Sequence, residues 1–202
     1  IVEILDRLNN VVLPNGFSRE IIIINDGSTD KTGKILEGMS TDNNFIFSYD
    51  KNFGKGHGVI KGLKEVTGDI VVIQDADLEY DPVDFNKLLI PIINGQADVV
   101  FGSRFLGGRV RLVTPFWHKI FNNALTLISN LLTNLTLSDM ETCYKMFSRV
   151  VVDDIKDKLS SPRFGIEPEL TALVKNYRIY EVPISYFGRS RDAGKKITWI
   201  DG

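Results

Sequence analysis

The sequence predicts an α/β domain with a mainly parallel sheet flanked by helices on both faces. Two observations carry this reading. Short, all-apolar, β-branched runs at residues 21–24 and 70–73 end in turn residues, and segments of helical spacing alternate with the strand-like ones without a linker or an internal repeat. A strand buried on both faces reads as such a continuous apolar run, the usual appearance of parallel strands joined by helices.

Each element follows from its local pattern. Ile1, Leu5, Leu8 and Val12 are spaced as on a helix, and because the chain opens on Ile1 inside that pattern, a truncated N-terminus is expected. The run at 21–24 is a strand closed by Asn25-Asp26-Gly27, and Ser28, Thr29 and Asp30 are good N-caps for a short helix reaching about Met39, weakened by Gly33 and Gly38. A second strand is predicted over 45–49, a helix over 56–66, and a third strand over 70–73 that runs into Gln74-Asp75-Ala76-Asp77. Pro82 suits the first position of a helix that Pro91 kinks or shortens, before a strand at 98–101. Beyond Gly107-Gly108 come a basic loop and a helix over about 116–133. Its apolar stripe (Phe121, Leu125, Ile128, Leu132, Leu135) is expected to pack on the sheet, with a membrane-facing role as the alternative. A strand over 142–147, a helix over 167–176, an alternating strand over 179–187 and a Gly-rich basic loop over 188–196 complete the chain.

Composition narrows the function. At 202 residues the chain suits one domain that needs neither disulfides nor a structural metal. A net charge of -2 argues against a general polyanion binder, so no nucleic-acid partner is expected, although residues 104–119 carry basic side chains with no acidic ones between them. Cys143 is the only cysteine, which excludes an intramolecular disulfide, is consistent with a reducing compartment, and reads as a small core residue. No apolar run is long enough to span a bilayer, and the visible start does not read as a signal peptide.

The chemistry concentrates at strand ends. Asp75 and Asp77 lie two apart after a buried strand, so an extended backbone aims both carboxylates into the crevice where open α/β sheets bind ligands. Paired carboxylates there repel unless a cation lies between them. Mg²⁺ or Mn²⁺ fits, because such ions use one or two carboxylates plus phosphate oxygens and water, and Glu79 could add a third oxygen. Asp26 ends an earlier strand in a similar place, where it can contact a base or ribose, form an Asx turn that caps the helix, or do both. Lys55-Gly56-His57-Gly58 after Gly54 is only loosely like a dinucleotide fingerprint. The third glycine is misplaced and no acidic residue follows a strand as required, which excludes NAD. His57 reads as a turn or surface histidine rather than a catalyst.

Taken in order, IIIINDGSTDKT, KNFGKGHGVIKGLKEVTGDIVVIQDADLEYDP, DVVFGSRFLGG and SDMETCYKMFSR resemble the motif series of family 2 glycosyltransferases with the GT-A (Rossmann-like) fold, over nearly the whole chain. Within that family the chain is most similar to the polyprenyl-phosphate enzymes typified by dolichyl-phosphate mannosyltransferases. The resemblance implies a single domain, with residues 1–101 as the nucleotide-sugar half and 102–202 as the acceptor half. It implies donor and metal binding at Asp75 and Asp77, base or ribose contacts at Asp26, and Lys55 on the donor side. Such enzymes usually have Gln where this chain has Glu79, and they begin with a strand absent here.

The resemblance further implies inverting transfer of a hexose from a GDP- or UDP-sugar, at the cytoplasmic face of a membrane. A lipid monophosphate, with a second pKa of about 6, arrives largely ionised and needs cationic clamps more than a base. Arg104, Arg109, Arg111, Arg189 and Lys195 are the candidates, Arg104 standing out in a family-like Gly-Ser-Arg. A saccharide hydroxyl would instead require a base. Asp139 is the candidate for it, or else a partner of one of the arginines. Asp139, Asp77 and Arg104 are thus the expected catalytic set. A non-catalytic nucleotide-binding domain is the remaining reading, and it leaves Asp75 and Asp77 unexplained.

Overall fold

The isoleucine run after Glu20 forms β1 (Ile21–Asp26), which pairs in parallel with β2 (Asn44–Tyr49), Ile21 opposite Asn44 and Asp26 opposite Tyr49. The computed structural model describes residues 1–39, 44–107 and 116–188. Before β1 lies α1 (Val2–Asn10), shorter than the apolar pattern, with Ile4 and Leu5 buried and Val12 exposed. Between the strands lies α2 (Thr32–Glu37). The crossover helix α3 (Lys55–Glu65) then packs on β1, Gly58 and Gly62 lying against Ile24.

A second sheet holds β3 (Ile70–Val72), β4 (Val99–Ser103), β5 (Lys145–Ser148) and β6 (Ile179–Pro183) in the order β3-β5-β4-β6. The expectation of a mainly parallel sheet is corrected here. β4 and β6 are parallel, but β5 runs antiparallel to both β3 and β4. The cause lies in the connection. After α5 (Phe116–Thr133) the chain reaches β5 through the irregular stretch 134–144 and enters the sheet from the opposite end, instead of returning by a crossover as βαβ units do. Among the described residues the two sheets share no ladder. Glu20 joins them at one end, accepting from Thr67 N (2.7 Å) and Gly68 N (2.7 Å) just before β3.

Helices cover both faces of the second sheet, as expected. Strand side chains alternate, so Val99 and Phe101 of β4 enter one core with α6 (Arg149–Ile155) and α7 (Ile166–Val174), whereas Val100 enters another with Leu88 and Leu89 of α4 (Phe85–Ile93). Pro82 opens a 3-10 turn capped by Asp81, and Pro91 lies in the last turn of α4, which ends at Ile93. Cys143 is buried, as its apolar setting implied.

The stripe on α5 is a second correction. Phe121, Ile128 and Leu132 are exposed, and of the expected set only Leu125 and Leu135 pack on the core. The helix instead buries Asn122, Thr126 and Ser129. Two of these answer polar groups beneath them: Asn122 Oδ1 accepts from Arg104 (3.1 Å) and Thr126 Oγ1 from Met140 N (3.3 Å).

Candidate active site

At the end of β1 the carboxylate of Asp26 faces the loop that follows β2. It accepts from Phe53 N (3.0 Å) and Gly54 N (2.7 Å), while Asn52 Nδ2 donates to the Asp26 carbonyl (3.1 Å). The Asx turn over Gly27 belongs to Asn25, whose Oδ1 accepts from Ser28 N. Gly27 is required at this crossing. Its φ is 69°, and a Cβ would lie 2.3 Å from the Lys51 carbonyl carbon. His57 packs edge-to-face on Tyr49 and tilted on Phe53 at centroid distances of 4.9 and 4.8 Å, with its Nδ1 3.8 Å from Asp26 Oδ1. Sequence reasoning did not foresee this aromatic wall beside Asp26.

β3 stops at Val72, so Asp75 and Asp77 do not continue an extended strand. Asp77 lies in a turn, its Oδ1 accepting from Glu79 N (3.1 Å), and Leu78 is left-handed with φ 64°. The three carboxylates do not converge: among the described residues no group of three His, Cys, Asp or Glu side chains could hold a metal. Glu79, the expected third ligand, is buried and accepts from the Tyr186 hydroxyl (2.9 Å). Asp75 and Asp77 remain half-buried at the strand end.

Asp75 already meets a cation. Lys55 Nζ lies 3.0 Å from Asp75 Oδ2 and 2.8 Å from Glu167 Oε1. The other oxygen of Glu167 pairs with Lys145, whose remaining protons go to the carbonyls of Met140 (2.9 Å) and Thr142 (2.6 Å). Lys145 is fully buried and uses all three donors, the condition under which a buried ammonium is tolerable. Burial alone would raise the Glu167 carboxyl, but Lys145 and Lys55 outweigh it and hold it below the ordinary range. Burial likewise opposes the charge on Lys55, yet Glu167 and Asp75 hold that ammonium well above its usual value.

The second charged group joins the end of β4 to the loop before β5. Arg104 Nε and Nη2 each lie 2.7 Å from an oxygen of Asp139, and the Arg104 backbone N donates to the same carboxylate at 3.0 Å. This fork-on-carboxylate geometry is the strong form of the pair, and Asp139 is 0% exposed. Glu181 of β6 fixes the loop from behind, accepting from Ser138 N (2.9 Å) and Asp139 N (3.3 Å). The same loop reaches the donor side, because Asp75 N donates to Cys143 Sγ (3.2 Å).

Sequence reasoning missed Glu167, Lys145, Asn122 and Glu181, each a polar residue inside an apolar or alternating stretch. Only the Glu167-Pro168-Glu169 helix start was locally unusual. Four of the expected clamps, Arg109, Arg111, Arg189 and Lys195, lie outside the described residues. A cleft of about 570 Å³ lies between α2 and the ends of β1 and β2, lined by Asn25, Ser28, Ser48 and Tyr49 among others, and does not extend to Asp75 or Arg104. No helix of the described residues is long and apolar enough to cross a membrane.

Several known proteins are similar to this chain. A dolichol-phosphate mannosyltransferase from Pyrococcus furiosus is 28% identical over 197 residues, covering 96% of this chain and 54% of that protein, so the chain spans about half of that relative's length. A UDP-N-acetylglucosamine–dolichyl-phosphate N-acetylglucosaminyltransferase from Methanococcus voltae is 32% identical over 198 residues, covering 88% of this chain and 79% of that one. Among solved structures, glucosyl-3-phosphoglycerate synthase from Mycobacterium tuberculosis superposes with a TM-score of 0.68 at 22% identity, covering 94% of this chain and 68% of that one. Its complex with Mn²⁺, UDP-glucose and phosphoglyceric acid gives 0.64 at 21%, covering 94% of this chain and 67% of that one, and at these identities the likeness speaks for the fold. The profile of glycosyl transferase family 2 matches residues 1–156, and the chain belongs to that family.

Proposed function

We propose that the protein transfers a hexose, with inversion, from a nucleoside-diphosphate sugar to a polyprenyl or dolichyl phosphate. The observation that carries this reading is the single loop, residues 139–143, that joins two charged groups: Arg104–Asp139 at one end and Lys55–Asp75 at the other. The two relatives described above are named for dolichyl-phosphate acceptors, which supports the same reading. Residues 1–101 then form the donor half and 102–202 the acceptor half.

On the donor side, Asp26 with the aromatic wall of Tyr49, Phe53 and His57 would receive the nucleoside. Asp75 and Asp77 would hold Mg²⁺ or Mn²⁺. Two hard carboxylate donors suit such an ion when diphosphate and water complete its shell, and Asp75 already pairs with a cation. The ion would supply positive charge to the leaving diphosphate. Lys55, held from behind by Glu167, adds a preorganised ammonium beside it.

On the acceptor side, a phosphate oxygen attacks the anomeric carbon opposite the leaving diphosphate. Asp139 is committed to Arg104 through both oxygens and is shut off from solvent, so we assign it to positioning Arg104 rather than to proton removal. That assignment favours an acceptor that arrives ionised over a sugar hydroxyl. The test is transfer by the full-length protein with Mg²⁺ or Mn²⁺, offering GDP- and UDP-sugars against polyprenyl phosphate and a panel of oligosaccharides. Product on the lipid phosphate is expected; product only on hydroxyl acceptors would overturn the reading.

A further inference from the structure

Transfer with inversion fixes where the moving sugar has to lie, because its anomeric carbon stands between the diphosphate that leaves and the oxygen that attacks. With Lys55 and Asp75 on the donor side and Arg104 on the acceptor side, the sugar runs alongside the loop 139–143 that joins the two groups. That loop offers a ligand one side chain. From Asp139 to Phe147 every residue is buried except Glu141, which is half-buried. The backbone is held on both sides of it, since Lys145 Nζ donates to the carbonyls of Met140 (2.9 Å) and Thr142 (2.6 Å).

Among the described residues the Glu141 carboxylate accepts no hydrogen bond and makes no ion pair. The charges that face it are those of Lys145, Glu167, Arg104 and Asp139, and both cations are already committed, Lys145 to Glu167 and Arg104 to Asp139. Burial pushes its carboxyl above the ordinary range. A carboxylate fixed in place, poorly hydrated and without a partner has acceptor capacity to spare. Neutral O–H donors suit it, whereas a phosphate would be repelled. We infer that Glu141 is a specificity residue whose carboxylate accepts from hydroxyls of the hexose being transferred. This rests on the reading of the site as one for sugar transfer, and it names a residue that recognises the sugar rather than its nucleotide. Asp139, two residues earlier, has both oxygens taken by Arg104 and does not share the task.

The experiment is calorimetric titration of the full-length protein, with Mg²⁺ or Mn²⁺, by UDP, GDP, UDP-glucose, UDP-N-acetylglucosamine and GDP-mannose. The parent, Glu141→Gln and Glu141→Ala are compared, with melting temperatures alongside. For the donor that the parent binds, Glu141→Ala should weaken the nucleotide sugar about tenfold or more and Glu141→Gln by less, while the matching sugar-free nucleotide changes less than about twofold. Melting temperature should hold or rise, because the substitution strands no partner. Unchanged affinity for the nucleotide sugar, with or without a fall in melting temperature, would overturn the inference, as would equal losses for nucleotide and nucleotide sugar. Loss of transfer at unchanged donor affinity would also overturn it, since Glu141 would then act on the acceptor. A parent that binds none of these ligands would remove the donor reading and the inference together. Failed transfer to polyprenyl phosphate, with the affinities as expected, would remove only the acceptor assignment.

Discussion

Replacing Glu167 by glutamine keeps the shape of the side chain and removes the charge that holds two ammonium groups. Lys145 is fully buried and would keep its bonds to the Met140 and Thr142 carbonyls but lose its counter-ion, while Lys55 would keep Asp75. Removing one partner of a buried pair costs about 3–5 kcal/mol, and because glutamine can still accept one hydrogen bond the lower end applies, about 3 kcal/mol. For a domain of this size that corresponds to a fall in melting temperature of roughly 6–12 °C. The assay is urea and thermal unfolding of the parent, Glu167→Gln, Lys145→Met and the double variant. Lys145→Met removes the stranded charge, so the double variant should be less destabilised than the sum of the two by about 1 kcal/mol or more. A loss below about 1 kcal/mol for Glu167→Gln, or additive single effects, would refute the assignment of Glu167 as the residue that neutralises buried Lys145.

Three further expectations follow from particular contacts. Asp139→Asn leaves Arg104 with Asn122 but without its bidentate carboxylate, so kcat for lipid-phosphate transfer should fall about ten- to hundredfold with the donor KM changed less than about threefold; a raised donor KM at constant kcat would place Asp139 on the donor side. Gly27→Ala forces a Cβ to within 2.3 Å of backbone and should cost about 2 kcal/mol or more in urea unfolding, whereas Gly16→Ala, at φ 85° with nothing within 4 Å, should cost only about 1 kcal/mol. Glu167 and Asp98 are held below the ordinary carboxylate range, Asp98 chiefly by its bond from Arg178. The unfolded chain therefore binds more protons, so this stability is present above about pH 4.3 and is lost as pH falls through the folded values. Burial raises the Glu141 and Glu181 carboxyls, and their contribution runs the other way, lost as pH rises through their folded values. A melting temperature unchanged between about pH 6 and about pH 3.5 would contradict the acid limb.

Much of this molecule was legible in one dimension. The runs at 21–24 and 70–73, the alternation over 179–187 and the caps and prolines mark the strands and most helices, because burial of apolar side chains at period 2 or 3.6 is a local signal. The ordered motifs announced the family, and Asp26, Asp75, Asp77, Arg104 and Asp139 all lie at strand ends or loops, where an acid or base in an apolar setting is conspicuous. The direction of β5 was not legible, since a strand's own pattern does not say from which end the chain enters the sheet. Nor did the short helix α6 stand out, because its two turns follow β5 directly and open on the β-branched run Val150, Val151 and Val152, which favours a strand.

The tertiary structure alone decided which charges meet. Lys55, Asp75, Lys145 and Glu167 are scattered over more than half of the chain, and Arg104 and Asp139 are separated by the whole of α5. The same holds for the outward face of that helix. Its sequence displays an apolar stripe, but whether the stripe or the asparagine and threonine beside it face inward depends on what lies beneath: a guanidinium and a backbone amide that require hydrogen-bond partners. Periodicity records which residues share a side of a helix, whereas burial is a property of the surface that the helix lands on.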